Sequence, residues 1–223
     1  MQKQLYTLSA LLLAGIAGNA QVDTTYNTTY YGQKVSQFRQ IPDTDKDEII
    51  FLGDSITDIG EWAEILNNKK VKNRGISSDV TFGVLNRLDE VTHRKPSKVF
   101  ILIGINDIAK NTPDSIILSN YMKIVNRIKT ASPGTKIFIQ SIFPTNNEFT
   151  EFKRHQDKDA HIQTVNKGLQ LLAQQSGCTY IDLYHLLINK EGKLDKRYTN
   201  DGLHLTGDGY MVWKNELRSK KYL

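Results

Sequence analysis

Val99-Phe100-Ile101-Leu102-Ile103 reads as a strand with no polar face. A half-exposed strand alternates apolar with polar residues, whereas an unbroken run of β-branched, aromatic and leucine side chains has to be covered on both sides. That requirement places helices above and below a sheet, and the rest of the chain supplies them in alternation. Ile49-Ile50-Phe51-Leu52, the stretch opening at Val71, Ile137-Phe138-Ile139 and Tyr180-Ile181-Asp182-Leu183 are further short strands. Between and after them, apolar residues recur at helical spacing: Trp62, Ile65 and Leu66; Val84, Leu88 and Val91; Ile117, Tyr121, Ile124 and Ile128; Ile162, Val165, Leu169 and Leu172; Tyr210, Trp213 and Leu217. Tyr31, Val35 and Phe38 predict one earlier helix, ended by Pro42-Asp43-Thr44-Asp45. Thr112-Pro113 reads as an N-cap followed by proline in the first turn, and Pro133-Gly134 stops that helix. The alternation predicts an α/β chain, a three-layer α/β/α sandwich around a mainly parallel sheet of about five strands.

The first twenty residues stand apart from this pattern. Lys3 supplies a positive start, residues 8–17 an almost unbroken apolar run, and Gly18-Asn19-Ala20 a small-residue cleavage site, so residues 1–20 are expected to be a secretory signal peptide. Residues 21–223 are then expected to form one domain, since roughly 200 residues bury a sizeable core and no interdomain linker or repeat interrupts them. No later stretch is long and apolar enough to predict a membrane span. The formal charge of +5 is spread among acids rather than clustered, so no nucleic-acid footprint is visible. Cys178 is the only cysteine, which excludes an intramolecular disulfide, and it is expected to act as a small apolar residue.

Gly53-Asp54-Ser55 follows the first strand and delivers a serine to the sheet's C-terminal edge, near a helix start whose outward N–H groups favour negative charge. A serine hydroxyl is a poor nucleophile near neutral pH and needs a base within hydrogen-bond reach, with a third group to orient that base. Asp201 and His204, three residues apart across a Gly-containing turn, have the chemistry for both roles. Candidate donors for an oxyanion are the N–H groups of Ser55 and Gly75 and the side-chain amide of Asn106. Ser55, Gly75 and Asn106 each follow a predicted strand, so a parallel sheet brings them to one edge. Asp54 is expected to cap a helix rather than do chemistry. The plainer readings are tight turns at Gly75 and Gly104, a helix cap at Asn106 and a solvated imidazole at His204. His93, His155, His161 and His185 are expected to be structural or solvated, and they make no metal-ligand set.

At these residues the chain resembles the SGNH (GDSL) serine hydrolase superfamily. Gly53-Asp54-Ser55, Asn73-Arg74-Gly75, Gly104-Ile105-Asn106-Asp107 and Asp201-Gly202-Leu203-His204 stand in that superfamily's order and span most of residues 21–223. The resemblance implies a flavodoxin-like fold, Ser55 as nucleophile, His204 as base and Asp201 as its partner. It also implies an oxyanion hole from Ser55, Gly75 and Asn106, and no metal or organic cofactor. Asn73-Arg74-Gly75-Ile76 is reminiscent of the superfamily's platelet-activating-factor acetylhydrolase-like members, and the chain as a whole resembles a secreted GDSL esterase. The Gly-x-Ser-x-Gly elbow of α/β-hydrolases is absent, because Thr57 stands where its second glycine would be.

The expected function is an exported esterase working through an acyl-serine. Its substrate would be a small-molecule or glycan ester, with O-acetyl carbohydrates favoured because an exported enzyme meets glycans and the chain lacks a long apolar lid. The alternatives are a lysophospholipase or thioesterase of the same superfamily, and a non-catalytic glycan-binding module on the same fold. The polar segment 145–159 is too long for a simple connection; Phe149, Phe152 and Arg154 are expected to shape the acyl or alcohol site.

Overall fold

Five short strands pair edge to edge, and every pairing is parallel. The computed structural model describes residues 22–43 and 46–223. Residues 1–20, read above as a signal peptide, lie outside the described residues, as do Gln21, Thr44 and Asp45. In chain order the elements are α1 (Thr29–Gln40), β1 (Ile49–Gly53), α2 (Ser55–Asp58), α3 (Trp62–Ile65), β2 (Val71–Gly75), α4 (Thr81–His93), β3 (Lys98–Leu102), α5 (Ile105–Ala109), α6 (Asp114–Ala131), β4 (Lys136–Gln140), α7 (Asp159–Gln175), β5 (Thr179–Ile181), α8 (Tyr184–Leu187) and α9 (Gly207–Ser219).

The strand order is β2-β1-β3-β4-β5. Right-handed crossovers carry the chain one way from β1 to β2 and the other way from β2 onward, so α3 lies on one face of the sheet and α4, α6 and α7 on the other. The contacts agree: α4 packs on α6 and α6 on α7, while α9 returns to pack against α3 and α8. This is the flavodoxin-like three-layer order, and it makes the gap between β1 and β3 the switch point where such sheets bind ligands.

Register explains the core. Phe51 pairs with Phe100 and Phe100 with Phe138, and their rings stack at 4.8 and 4.4 Å between centroids. Trp62 of α3 lies flat on Phe51 at 4.2 Å and meets Trp213 of α9 edge-on at 4.5 Å. The opposite face of the same strands carries Ile50, Leu52, Val99, Ile101, Ile137 and Ile139, all buried, toward the α4 and α6 layer. Two aromatic side chains at zero exposure in one contact, Trp213 and Phe51, stabilise this layer by roughly 1.5–3 kcal/mol each.

The helix expected to be capped by Thr112 starts one residue later. Pro113, with φ −55° and ψ 137°, occupies the cap position, α6 begins at Asp114, and the buried Thr112 Oγ1 has no hydrogen-bond partner. With ψ 137° Pro113 is itself extended rather than in the first helical turn, so it takes the cap and leaves Thr112 one residue further out.

Candidate active site

The C-terminal ends of the parallel strands all open on one edge, and there the expected residues converge. Ser55 is the first residue of α2, immediately behind β1, where the leading N–H groups of a helix have no intrahelical acceptor. Asp54 caps this helix as expected, its Oδ1 accepting from the N–H of Ile56 at 3.1 Å. Ser55 is only 8% exposed, yet its Oγ lies 2.9 Å from His204 Nε2. His204 Nδ1 lies 2.7 Å from Asp201 Oδ2, and Asp201 Oδ1 accepts the N–H groups of Leu203 and His204 at 2.9 and 2.8 Å. Burial works against charge on Asp201, but the hydrogen bonds from His204 and Leu203 outweigh it and hold the carboxyl below its usual range. An ionised carboxylate only accepts, so Nδ1 carries the imidazole hydrogen and Nε2 presents its lone pair to the serine hydroxyl.

Three groups fix the short helix that carries Ser55 against its neighbours. Tyr210 of α9 donates its hydroxyl to Ile56 O at 2.7 Å, and Trp62 Nε1 donates to Thr57 O at 2.8 Å. The side-chain amide of Asn73 of β2 lies 2.9, 3.0 and 3.0 Å from Thr57 O, Asp58 O and Gly60 O and donates into this turn of carbonyls. The same side chain's Oδ1 accepts the N–H of Gly75 at 2.8 Å. Of the three expected oxyanion donors, Gly75 is therefore the one whose N–H is already engaged. Its lack of a side chain has a separate use: a Cβ there would sit 2.2 Å from Asp58 N, so β2 can approach α2 this closely only at glycine.

Asn106 lies in α5, behind β3 and beside β1 in the sheet. Its Nδ2 donates to Asp79 O at 3.0 Å, which leaves one amide hydrogen. The neighbouring Asp107 turns inward and accepts from Thr81 N and Thr81 Oγ1 at 2.9 and 2.6 Å, tying α5 to the start of α4. Behind the edge lie several buried carboxylates. Arg87 binds Asp79 at 2.9 Å and Arg74 binds Glu90 at 3.1 Å. Burial raises Asp107 to about 6, against the Thr81 hydrogen bonds, and raises Asp54 to about 8, against the Ile56 N–H and reinforced by Asp79 and Asp107. Asp54 Oδ2 has no hydrogen-bond partner, so little supports a charge there.

The turn that carries Asp201 and His204 is joined to the segment 145–159. Asn146 N–H donates to Gly202 O at 2.8 Å, and Gly202 adopts φ +84° with its missing Cβ only 2.5 Å from Asn146 O. That segment is internally bonded, Gln156 Nε2 reaching Phe149 O and Glu151 O at 2.9 Å each, and contains a single 3₁₀ turn, Lys153–His155. Phe152, 42% exposed, stands edge-on to the His204 ring at 4.8 Å. His155, expected to be structural or solvated, is half-buried and lies 2.9 Å from Asn106 Oδ1. The only sequence signal for it was membership of a connection too long to be a plain loop. His93 is exposed, and the exposed His161 and His185 pair with Asp114 and Asp182 at 3.0 and 2.6 Å. Cys178 is half-buried beside β5. Among the described residues no three His, Cys, Asp or Glu side chains converge as a metal-ligand set, and no helix is long and apolar enough to cross a membrane.

The model of the GDSL-like Lipase/Acylhydrolase family matches residues 51–212. The chain belongs to this family. Among solved structures, this chain is similar to a Streptococcus pneumoniae protein provisionally named a platelet activating factor, with 29% identity, TM-score 0.78, and 86% of this chain and 92% of that one covered. An acylhydrolase, provisionally so named, from Bacteroides fragilis NCTC 9343 aligns at 24% identity and TM-score 0.75, covering 87% and 97% of the two chains. The acetyl xylan esterase AlAXEase aligns at 21% identity and TM-score 0.64, over 78% of this chain and 98% of that one. The last two show the shared fold alone. Among curated proteins, the N-acylneuraminate cytidylyltransferase of Escherichia coli O18:K1:H7 is 28% identical over 190 residues, 83% of this chain but 42% of that protein. The enzyme of the same name from Streptococcus agalactiae serotype V is 26% identical over 62% of this chain and 30% of its own length. The chain thus spans less than half the length of these curated relatives.

Proposed function

We propose that this acylhydrolase is an exported serine esterase that removes short acyl groups, O-acetyl above all, from carbohydrates. The observation that carries the reading is the unbroken chain from Asp201 Oδ2 through His204 to Ser55 Oγ, with spacings of 2.7 and 2.9 Å. Ser55 Oγ attacks the ester carbonyl carbon while His204 Nε2 takes its proton, and Asp201 stabilises the imidazolium that forms. The charge that develops on the carbonyl oxygen is met by the N–H of Ser55 and the second amide hydrogen of Asn106; Gly75 contributes its N–H by sharing it with Asn73 Oδ1. The imidazolium then returns the proton to the leaving alkoxide. Water, deprotonated by His204, attacks the acyl-serine, and collapse of the second tetrahedral adduct releases the carboxylic acid and restores Ser55.

Support for a sugar alcohol comes from two similarities. The E. coli relative is named for a neuraminate, an N-acylated sugar acid, and the fold is one on which an acetyl xylan esterase is built. Phe152 at the rim offers a flat apolar face on which a sugar ring can lie. Export rests on the N-terminal composition, and N-terminal sequencing of the protein released by a secreting host tests it. A second reading, a lysophospholipid or thioester substrate, is favoured by the name of the S. pneumoniae structure. Hydrolysis of p-nitrophenyl esters from acetate to palmitate separates the two. Turnover highest on acetate, lost in Ser55→Ala, supports the short-acyl reading and leads to a screen of acetylated glycans; a maximum at long chains moves the lipid reading ahead. Silence of wild type and variant alike would sink both.

A further inference from the structure

The side-chain amide of Asn106 is held at both ends. On one side its Nδ2 donates to Asp79 O, a backbone carbonyl that can only accept. Asp79 is itself fixed, its Oδ2 gripped by Arg87 Nε at 2.9 Å and its N–H bonded to Ile76 O. The amide therefore cannot flip without setting two oxygens against each other. That orientation turns Oδ1 toward His155 Nε2 at 2.9 Å, and Oδ1 can only accept, so Nε2 must carry the imidazole hydrogen. His155 Nδ1 is then bare. It is also buried and has no hydrogen-bond partner, which an acceptor nitrogen tolerates better than an N–H would.

The chain incurs strain to put the ring there. Phe152, just before the 3₁₀ turn, sits in the left-handed region at φ +50° and ψ 39°, which is costly for a bulky side chain and gathers at functional sites. The turn Lys153–His155 packs directly against α5, the helix that carries Asn106. Thr145 Oγ1 holds the far side of the turn through His155 O at 3.2 Å, and the ring of Phe152 flanks both His155 and His204, at 5.9 and 4.8 Å.

We propose that His155 is a positioning residue of the oxyanion pocket: as the Nε2–H tautomer it donates to Asn106 Oδ1 and, together with the Asp79 carbonyl, locks the amide so that its second hydrogen meets the developing oxyanion. The proposal rests on the esterase reading above and deepens it. A preoriented donor contributes because it needs no reorganisation as charge develops, whereas an amide free to rotate loses that advantage. Burial, with the neighbouring His204 and Arg154 adding to it against a backbone hydrogen bond to the Phe152 carbonyl, pushes His155 down to about 4. The ring thus stays neutral where an imidazole base operates, and its single N–H stays on Asn106.

The test is a double-mutant cycle on p-nitrophenyl acetate with wild type, His155→Ala, His155→Gln, Asn106→Ala and the His155→Ala/Asn106→Ala pair, alongside Ser55→Ala and a thermal melt of each. His155→Ala is expected to lower kcat by roughly 10- to 100-fold, less than the loss of the donor itself, with KM within about threefold of wild type. His155→Gln, whose amide N–H reaches the same oxygen, recovers most of that loss, and in the Asn106→Ala background His155→Ala costs almost nothing further. Long-range 1H–15N spectra add a readout independent of turnover: of the five histidines, the one missing from His155→Gln is a neutral Nε2–H tautomer. Unchanged kcat in His155→Ala, an equal loss with and without Asn106, or an Nδ1–H tautomer overturns the proposal while the esterase reading stands. Wild type silent on the ester, or Ser55→Ala as active as wild type, overturns that reading and the proposal with it.

Discussion

A hydroxyl 2.9 Å from an imidazole gains nothing unless the facing nitrogen is bare. At the residue scale Asp201 ensures this, because its acceptor-only carboxylate demands the hydrogen on Nδ1 and its two backbone N–H bonds keep it from rotating away. On the proposed roles, Ser55→Ala is expected to lower kcat/KM on p-nitrophenyl acetate by about 10⁴–10⁶, and Asp201→Asn by about 10⁴, because an asparagine amide stabilises the wrong tautomer without disturbing the shape. Steady-state kinetics on both variants, with melting curves to show that each is folded, checks this. A loss under tenfold in Asp201→Asn would remove the carboxylate from the mechanism.

The element that matters most is the turn at Asp201-Gly202-Leu203-His204, because it has to match the position of α2, some 150 residues earlier in the chain. Two contacts set that match. Gly202 allows the turn to close against Asn146, and Tyr210, three residues into α9, reaches back to Ile56 O. Gly202→Ala adds a Cβ 2.5 Å from Asn146 O at φ +84°, so it is expected to cost about 1–3 kcal/mol and to lower kcat even well below the melting temperature. Tyr210→Phe leaves a buried carbonyl without its donor and is expected to cost about 1–3 kcal/mol in urea unfolding. Its effect on kcat should be smaller than that of Gly202→Ala, since the turn itself is untouched. The reverse order of the two kcat losses would show that α9, rather than the loop contact, sets the base.

At the scale of the whole molecule, the buried carboxylates behind the site tie stability to pH. Asp54, raised to about 8, holds a proton in the folded state that the unfolded chain, with an ordinary value of about 3.9, has released. Unfolding therefore frees a proton, and stability falls as pH rises toward 8. His155, lowered to about 4, acts in the opposite sense, but only below its unfolded value of about 6.5. Between pH 6.5 and 8 the Asp54 effect is thus expected to dominate, lowering the unfolding free energy by about 1 kcal/mol per pH unit. Urea titrations across that window check it. Asp54→Asn, neutral throughout, should flatten the slope; an unchanged slope would place the titrating group elsewhere.

Much of this architecture was legible in the order of residues, for local reasons. Strands buried on both faces have to be uniformly apolar, so Ile49-Ile50-Phe51-Leu52 and Val99-Phe100-Ile101-Leu102 announce themselves, and with helices between them the parallel sheet follows. Once the sheet is parallel, Ser55, Gly75 and Asn106 share an edge because each lies at or just past the C-terminal end of a strand. The meeting of Asp201 and His204 with Ser55 was readable only as chemistry in need of a partner, and the tertiary structure supplied the 2.9 Å contact. What the order of residues did not carry are the contacts between segments with no periodic pattern: His155 on Asn106, Asn146 on Gly202, and the N–H of Gly75 given to Asn73. Thr112 likewise looked like a cap until the helix began a residue later. Periodicity records which face of an element is buried, and it does so within one element. Hydrogen bonds between loops depend on where distant segments are delivered, and that is decided only when the sheet, the crossovers and α9 have packed.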